Sequence, residues 1–458
     1  MDHHVADLLA EALGRELEPR IGPTAPGHAW GVFDGGTLVE AHGAGGAAAA
    51  PARAAFRIAS CTKSFTAASA LLLADEGSLD LEQPLAEALD VPLRMIGRPT
   101  SAPTVRDALA MRAGFPTDDP WGDRQESLSD DDFAALLSEG VRMAWPAGRR
   151  YEYSNLGYAI VGRIIALRAG MPYRRFVETR LLAPLGLRGT GYTEAVGDAV
   201  TGYRPGPDGW EPLPFTGPGA FSPIGGLFST VTDLARWCGV LSGAIDVDGV
   251  LPERLAARMR RPETPVAGDP SGDGPWHAYG LGLVVRSDGA GRRFVGHSGG
   301  YPGFTTRMEW EQGSGIGAVV FENATYTGLT RPVHAAFDAA LPGGTAAAAL
   351  DAPEPHPWPE TVDAAERVRA ALASGSLPAA ELLDDCVDLD VPLSRRAARL
   401  AALLDRIGGV DELGAVGYAG PARADWVLHG PRGALHCGIL MSPPAATRVQ
   451  KLEIELAT

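Results

Sequence analysis

Long apolar runs are missing from this sequence. No stretch is long enough to cross a bilayer as a helix. The first twenty residues, MDHHVADLLAEALGRELEPR, alternate apolar and charged residues, so they lack the unbroken apolar core of a secretory signal. The sequence therefore predicts a cytoplasmic protein without a membrane-spanning helix.

Cysteine is scarce, with four residues in a chain of 458. None of them forms a CxxC pair or the Cys/His spacing of a zinc site. We therefore expect reduced thiols rather than a disulfide framework, and neither a metal nor a cofactor. The four residues are Cys61, Cys238, Cys386 and Cys437.

Positive charge is in deficit. Forty Lys and Arg residues face 56 Asp and Glu residues, which gives a formal net charge of −16 and a pI near 5.1. Nucleic acids and anionic membranes bind proteins with the opposite balance, so both are excluded as expected partners. The remaining expectation is a small-molecule or short-peptide substrate, and self-association as a homodimer stays open.

The order of predicted elements indicates an α+β fold. The stretch AWGVFDGGTLVE (29–40) is typical of a hairpin that turns at Asp34-Gly35-Gly36. Strand patterns return between 279 and 325, whereas the region from about 79 to 210 is mainly helical. A sheet built from both ends of this region, with helices inserted between them, is the expected architecture.

Composition changes around LPGGTAAAALDAPEPHPWPE (341–360), which is rich in Ala and Pro. We expect a linker at 346–360 between a main domain at 1–345 and a small α+β accessory domain at 361–458. The accessory domain contains no catalytic motif. We expect it to contribute no catalytic group and to shape one wall of a substrate cleft or form a dimer contact.

One short stretch carries the first chemical signal. In FRIASCTKSFTAA (56–68), Ser60 precedes Lys63 by three residues among apolar neighbours. Residues three apart share a helix face, so the two side chains touch if Ser60 begins the helix. An ammonium in such surroundings must find partners or lose its proton, and a desolvated lysine can activate a hydroxyl. The alternative is a helix start followed by a surface lysine.

Two further stretches favour the chemical interpretation. YEYSNLGYAIVG contains Tyr153-Ser-Asn155 in a turn before a helix, and FVGHSGGYPGF contains His297-Ser298-Gly299-Gly300 at the end of an apolar strand. In this order, SxxK, YxN and [KH]-[ST]-G are the three motifs of the penicillin-recognising serine hydrolases. Over residues 10 to 345 the chain resembles their class C β-lactamase-like branch, with its DD-peptidases, D-aminopeptidases and esterases.

The resemblance implies a β-lactamase/transpeptidase-like fold, with an antiparallel sheet, flanking helices and a helical subdomain at about 79–210. It implies that Ser60 is the acylated nucleophile and that Lys63 helps remove its proton. Tyr153, together with Lys63, is expected to act as general base and as proton donor to the leaving group. Asn155 is expected to bind Lys63 and a substrate amide or carbonyl.

The same resemblance implies an oxyanion hole made by the backbone N–H groups of Ser60 and Gly300. His297 stands where most β-lactamases have lysine, and it is expected to be catalytic. The substrate is expected to contact Ser298, Gly299 and Tyr301.

These assignments predict a serine hydrolase that cleaves a small ester, or a D-amino-acid amide or peptide, through an acyl-enzyme. Histidine in the third motif removes a fixed positive charge that favours the carboxylate of β-lactams and D-Ala-D-Ala peptides. β-Lactamase, DD-peptidase and acyltransferase or peptide-cyclising thioesterase activities remain alternatives. A non-catalytic acyl-binding or scaffold protein is the alternative outside the enzymes.

Several other residues are expected to be structural. Asp118, Asp119 and Asp123 lie in a segment typical of turn formers and helix caps rather than metal ligands. Cys61 is expected to be a small buried filler. The larger aromatics near the motifs either line the cleft or pack in the core; they are Trp121, Trp276, Tyr301 and Phe304.

Overall fold

The computed structural model describes residues 3–97, 101–194, 196, 198–247, 249–350 and 356–457, so part of the expected linker at 346–360 lies outside the described residues. The strands are β1 (His28–Asp34), β2 (Thr37–Ala44), β3 (Ala54–Arg57), β4 (Met95–Ile96), β5 (Val141–Arg142), β6 (Asp198–Ala199), β7 (Tyr203–Gly206), β8 (Gly209–Pro212), β9 (Phe228–Ser229), β10 (Thr264–Ala267), β11 (Trp276–Tyr279), β12 (Val284–Ser287), β13 (Arg293–Tyr301), β14 (Phe304–Glu311), β15 (Ile316–Glu322), β16 (Glu412–Leu413), β17 (Gly417–Gly420), β18 (Arg423–Gly430), β19 (Gly433–Met441) and β20 (Val449–Leu456).

The helices are α1 (His3–Leu17), α2 (Thr62–Asp75), α3 (Leu85–Ala88), α4 (Val105–Leu109), α5 (Asp130–Glu139), α6 (Asn155–Ala169), α7 (Tyr173–Val177), α8 (Ala183–Leu185), α9 (Ser222–Gly225), α10 (Val231–Ser242), α11 (Glu253–Met259), α12 (Thr330–Ala340), α13 (Pro359–Ala373), α14 (Asp385–Asp390) and α15 (Leu393–Ile407). Short 3-10 turns cover Glu18–Arg20, Gly45–Ala47, Ala59–Cys61, Gly122–Arg124 and Ala380–Leu382, and a π-helical turn at Glu178–Leu182 joins α7 to α8.

The main sheet combines both ends of the first 345 residues. Its strand order is β10-β11-β12-β13-β14-β15-β1-β2, and every neighbouring pair is antiparallel. The N-terminal hairpin therefore pairs with β15, which follows β1 by almost 300 residues. The predicted α+β architecture, with strands from both ends and helices inserted between them, is confirmed.

The hairpin between β1 and β2 turns at two glycines. Gly35 and Gly36 have φ values of +56° and +82°, which is the left-handed pair that a two-residue type I′ turn requires. A Cβ on Gly36 would also lie 2.4 Å from the Gly239 Cα of α10. This position therefore needs glycine for two reasons, backbone conformation and close packing against a helix.

Helices cover both faces of the main sheet. On one face, α1 and α12 contribute Leu13 and Phe337 to a cluster with Trp30, Val32 and Phe294 of the sheet. On the other face, α10 packs against β1, β2, β14 and β15. Since neither face meets water there, every residue of β14 and β15 is buried.

Helix α2 lies inside the molecule and is buried on all sides. Twelve of its fourteen residues, from Thr62 to Leu73, are buried. The Phe65 ring stacks on Trp237 of α10 with ring centres 4.2 Å apart, and Thr66 donates to the Pro223 carbonyl of α9 at 2.7 Å. Polar side chains on a helix packed in this way, Lys63 among them, cannot reach solvent.

Residues beyond 356 build a second sheet, with the order β16-β18-β19-β20 and β17 paired to β18. Among the residues that the structure describes, its strands do not join the main sheet. It contacts the helical region through backbone hydrogen bonds from Arg142 to Pro443 and from Ala445 to Gly140, at 2.8 and 2.9 Å. The division into a main and an accessory domain stays a proposal, supported by the two separate sheets.

Two further expectations concern membranes and thiols. Across the described residues, no helix is long and apolar enough to cross a membrane. The four cysteines are buried and unpaired, as expected for reduced thiols.

We predict that Gly36→Ala destabilises the protein more than Gly77→Ala. Gly77 also has a positive φ, +74°, but a Cβ there meets nothing within 4 Å, so alanine adds only the backbone cost of about 1 kcal/mol. Alanine at Gly36 adds a collision with the α10 backbone, which costs about 2 kcal/mol more. Chemical denaturation of both variants measures the difference, and equal losses would contradict the packing argument.

Candidate active site

Ser60 lies at the junction between a strand and a helix. It occupies the 3-10 turn Ala59–Cys61, and α2 begins two residues later at Thr62. The sequence placed Ser60 at the helix start, so the helix begins slightly later than predicted. Ala59 has φ +47°, an unusual conformation for a residue with a side chain and one often found at functional sites. The turn leaves Ser60 6% exposed.

Lys63 is fully buried and its ammonium group meets three acceptors. Nζ lies 2.9 Å from Ser60 Oγ, 2.7 Å from Asn155 Oδ1 and 2.9 Å from the Ile224 carbonyl oxygen. An ammonium has three hydrogens, so the three partners match its capacity. Burial lowers the pKa of Lys63 to about 8, against the opposing effect of nearby carboxylates, chiefly Asp119. The surface-lysine alternative is therefore wrong.

Tyr153 lies over the same ammonium group. Its ring centre is 5.0 Å from Lys63 Nζ. Desolvation raises the pKa of Tyr153 well above its usual value of 10, with Asp119 adding to the rise, while a hydrogen bond with Ser60 acts in the opposite direction. The phenol therefore keeps its proton at neutral pH.

Asn155 joins Lys63 to a group of carboxylates. It is the first residue of α6, and its side-chain Nδ2 donates to Asp119 Oδ1. The Asp118 carboxylate accepts the backbone N–H groups of Asn155 and Leu156 at 2.6 and 2.8 Å. Both ends of the Asn155 amide are thus occupied, and its orientation is set by charged partners.

The acidic segment is more closely tied to the site than the sequence indicated. Asp118 does cap a helix, but the helix is α6, which begins 37 positions away. Burial raises the pKa of Asp118 to about 7 and also raises the pKa of Asp119 and Asp123. Within the described residues, no group of acidic, His or Cys side chains is arranged to hold a metal ion.

His297 is buried and neutral. Its Nε2 lies 2.9 Å from the Tyr279 hydroxyl, and its Nδ1 lies 2.5 Å from the Ser298 carbonyl oxygen. A carbonyl can only accept, so Nδ1 carries the proton and Nε2 accepts from the tyrosine. Burial, reinforced by the charge of Lys63, lowers the pKa of His297 to about 3. The third motif therefore brings no positive charge to the site.

Strand β13 passes directly beside Ser60. A Cβ on Gly299 would lie 2.4 Å from the Ile58 carbonyl oxygen and 3.2 Å from the Ser60 nitrogen, so only glycine permits this approach. Tyr301 pairs with Phe304 across a two-residue turn, and Gly300 pairs with Thr305. In such a hairpin the second pair from the turn is not hydrogen-bonded, so the Gly300 N–H points away from β14.

A cavity of about 370 Å³ lies next to these strands. Arg57, three residues before Ser60, and Tyr301, which follows Gly300, both line it. Its aromatic lining consists of Phe215, Phe228, Tyr301 and Phe304. Of the aromatics singled out in the sequence, Tyr301 and Phe304 therefore line a cavity, whereas Trp121 and Trp276 are buried in the core.

Cys61 behaves as the expected buried filler. Its thiol is 0% exposed and donates to the His297 carbonyl oxygen at 3.3 Å. Burial raises the pKa of Cys61 to about 12, which keeps the thiol protonated and unreactive.

Sequence reasoning missed three parts of the site. The Ile224 carbonyl is a backbone group, which no side-chain motif can reveal. Asp119 was identified as a turn former, and its proximity to Lys63 depends on tertiary packing. Tyr326 follows β15 without any motif, yet its ring lies against Gly300 and its hydroxyl donates to Asp123 at 2.7 Å.

Two named bacterial proteins are similar to the chain in sequence. Penicillin-binding protein 4* of Bacillus subtilis (strain 168) is 25% identical over 279 residues, which are 55% of this chain and 57% of that protein. D-alanyl-D-alanine-carboxypeptidase/endopeptidase AmpH of Escherichia coli (strain K12) is 28% identical over 295 residues, 60% of this chain and 72% of that protein. The match thus spans little more than half the length of the Bacillus protein.

A solved structure is similar to the chain in fold. The structure of the octameric penicillin-binding protein homologue from Pyrococcus abyssi superposes with a TM-score of 0.61 and 19% identity, over 100% of this chain and 99% of that one. At this identity the likeness concerns the fold alone, and it confirms the predicted β-lactamase/transpeptidase-like α+β class.

The family model described as Beta-lactamase matches residues 7–342. The chain therefore belongs to the Beta-lactamase family, the group of serine β-lactamases and penicillin-binding-protein-like proteins.

Proposed function

We propose that the protein is a serine hydrolase that cleaves an ester or an amide through a covalent acyl-enzyme on Ser60. The observation that carries the proposal is the 2.9 Å contact between Ser60 Oγ and the fully buried Lys63 Nζ. A hydroxyl becomes a useful nucleophile when a base within hydrogen-bond reach can take its proton. A lysine with a pKa of about 8 is such a base near neutral pH.

In acylation, Ser60 Oγ attacks the substrate carbonyl carbon while the Oγ proton passes to the neutral Lys63 amine. The C–O or C–N bond to the leaving group then breaks, and the leaving group takes a proton. Tyr153 is placed to donate that proton, because its phenol stays protonated, forms a hydrogen bond with Ser60 and has its ring centre 5.0 Å from Lys63 Nζ. The phenol regains a proton from the Lys63 ammonium, and a water molecule hydrolyses the acyl-enzyme by the reverse order of proton transfers.

This division of roles differs from the expectation that Tyr153 shares the work of general base. The raised pKa of Tyr153 and the lowered pKa of Lys63 support lysine as the base and tyrosine as the acid. Two titratable groups whose environments move their pKa values apart commonly divide the acid and base roles.

We assign the oxyanion hole to the backbone N–H groups of Ser60 and Gly300. The close approach of Gly299 to the Ser60 nitrogen supports a shared site for one oxygen. A donor in such a hole contributes about 3 kcal/mol to the transition state. Asn155, Ser298, Gly299 and Tyr301 are proposed to contact the substrate around it, and His297 to support the strand through Tyr279 rather than to transfer protons.

The charges of the site favour substrates without a carboxylate next to the scissile bond. His297 is neutral, and the buried residues Asp118, Asp119 and Asp123 lie close enough to Lys63 to act on its pKa. We therefore propose small esters, or D-amino-acid amides and peptides with an uncharged or amino-bearing end. β-Lactamase or DD-peptidase activity is the second candidate, favoured by the relatives named for D-alanyl-D-alanine and penicillin binding. Acyl transfer to an amine would use the same acyl-enzyme.

An inactive acyl-binding scaffold is disfavoured because the hydrogen-bonded set of Ser60, Lys63 and Asn155 is intact. The chemistry above uses only side chains, backbone groups and water. We retain the cytoplasmic location as a proposal, supported by the four unpaired cysteines. Self-association also remains a proposal, and the Pyrococcus relative is described as octameric.

We predict that a fluorophosphonate probe labels Ser60 and that Ser60→Ala abolishes labelling. Turnover of p-nitrophenyl esters should fall by about 10³-fold or more in that variant, because the nucleophile is gone. Intact mass followed by peptide mapping locates the adduct. Ser298→Ala is the control, since it keeps the nucleophile and should still be labelled on Ser60. An adduct that persists in Ser60→Ala would overturn the assignment.

We predict that acylation speeds up as the pH rises through about 8. Lys63 must be neutral to accept the Ser60 proton, and a lysine is neutral above its pKa, which burial lowers to about 8. The chain has only two lysines, Lys63 and Lys451, so NMR of lysine labelled at the ε position should show two signals.

Lys451→Arg assigns the signals, and the remaining one should titrate near pH 8 together with the acylation rate. An acylation rate that falls as Lys63 loses its proton would show that the ammonium form is required and that another group is the base.

We predict that His297→Lys shifts substrate preference toward anions. A cation at this position should raise kcat/KM for nitrocefin relative to an uncharged p-nitrophenyl ester by about tenfold, the effect of one added charge-assisted hydrogen bond. His297→Gln is the control because it keeps a polar, uncharged side chain. Equal changes for both substrates in both variants would show that the third motif does not select substrate charge.

A further inference from the structure

Gln450 lies in β20, 390 positions after Ser60, and is fully buried. Its Oε1 accepts the Trp121 backbone N–H at 3.1 Å. Its Nε2 donates to the carbonyl oxygens of Thr117 and Met441, both at 2.9 Å. A primary amide has two donor hydrogens, so the side chain uses both and its oxygen as well.

The two partners in the helical region enclose the acidic segment. Thr117 and Trp121 stand on either side of Asp118-Asp119-Pro120. Asp119 accepts from the Asn155 side chain, and Asn155 Oδ1 in turn lies 2.7 Å from Lys63 Nζ. A continuous series of hydrogen bonds and short backbone links therefore runs from Gln450 to the ammonium group beside Ser60.

A second contact from the same part of the chain holds the far end of this segment. Arg124 donates to the Asp390 carboxylate through Nε at 3.0 Å and Nη2 at 2.6 Å. Asp390 ends α14, which like β20 belongs to the region after 356. Residues of the proposed accessory domain thus form hydrogen bonds with both ends of the segment from 117 to 124.

We propose that Gln450 is a positioning residue for the acylation of Ser60, acting through the segment that carries Asp118 and Asp119. The proposal rests on the proposed serine hydrolase function. Gln450 touches neither substrate nor nucleophile; it keeps the two aspartates in place, and they orient Asn155 beside the buried Lys63. The expectation that the accessory domain supplies no catalytic group is retained, but the domain is needed for the geometry of the site.

The test compares Gln450→Leu with Ser442→Ala. Leucine keeps the approximate volume of glutamine and removes all three hydrogen bonds. Ser442 is also fully buried, and its Oγ accepts the Arg448 N–H at 3.1 Å within the same connection between β19 and β20. Ser442→Ala therefore removes a buried hydrogen bond in the accessory domain without touching the acidic segment.

In Gln450→Leu, we expect the rate of fluorophosphonate acylation at Ser60 to fall about tenfold, because a small displacement of a supporting group strongly slows a positioned reaction. The Lys63 ε signal should titrate at higher pH, since a released segment admits water and burial is the main cause of the low pKa. Ser442→Ala should match the wild-type protein in both measurements. Gln450→Glu serves as a second variant, because it keeps the acceptor for Trp121 but cannot donate to Thr117.

If both Gln450 variants acylate at the wild-type rate and Lys63 titrates in them as in the wild-type protein, the proposal is overturned. Equal losses in Gln450→Leu and Ser442→Ala would also overturn it, since a general loss of stability would then suffice. If the wild-type protein forms no adduct at Ser60, the proposed function fails, and the Lys63 titration still decides whether Gln450 organises the site.

Discussion

The ammonium group of Lys63 sits on a helix that is packed on all sides, and it must find its hydrogen-bond partners inside the protein. Three acceptors come from three different segments: the turn before α2, the start of α6 and the backbone after Pro223. An unpaired buried charge would cost several kcal/mol. The requirement to pair this one group therefore holds Ser60, Asn155 and α9 in a fixed relation.

The carboxylates form the next layer around that group. Asp118 and Asp119 fix Asn155 through its backbone and its side chain, and Asp123 reaches Tyr326 beside Gly300. Their negative charge opposes the effect of burial on the pKa of Lys63, so the lysine is lowered only to about 8. A base with that pKa suits proton abstraction near neutral pH, which an exposed lysine with its usual pKa would not.

The same arrangement sets the charge of the cleft. His297 has both ring nitrogens committed, one to Tyr279 and one to a neighbouring carbonyl. With that ring neutral, the balance near Ser60 is set by Lys63 and the acidic segment. The charge near Ser60 therefore depends on residues that lie behind the motifs as well as on the motifs.

Local patterns were sufficient for the hairpin at Gly35-Gly36, for strands β12 to β15 and for the spacing of Ser60 and Lys63, because each depends on neighbours a few residues away. They did not predict β10 (Thr264–Ala267) and β11 (Trp276–Tyr279). The three ordered motifs also predicted the family and the candidate nucleophile. In the structure, Ser60 and Asn155 both contact Lys63 directly.

Only the tertiary structure decided how these groups are supported and charged. Lys63 meets Ile224 across 161 positions, and Gln450 meets Trp121 across 329. No local pattern encodes such pairs, since they arise when separate segments pack together. The sequence by itself determined which groups can react, whereas the burial produced by folding determined their pKa values, because desolvation depends on everything that surrounds a side chain.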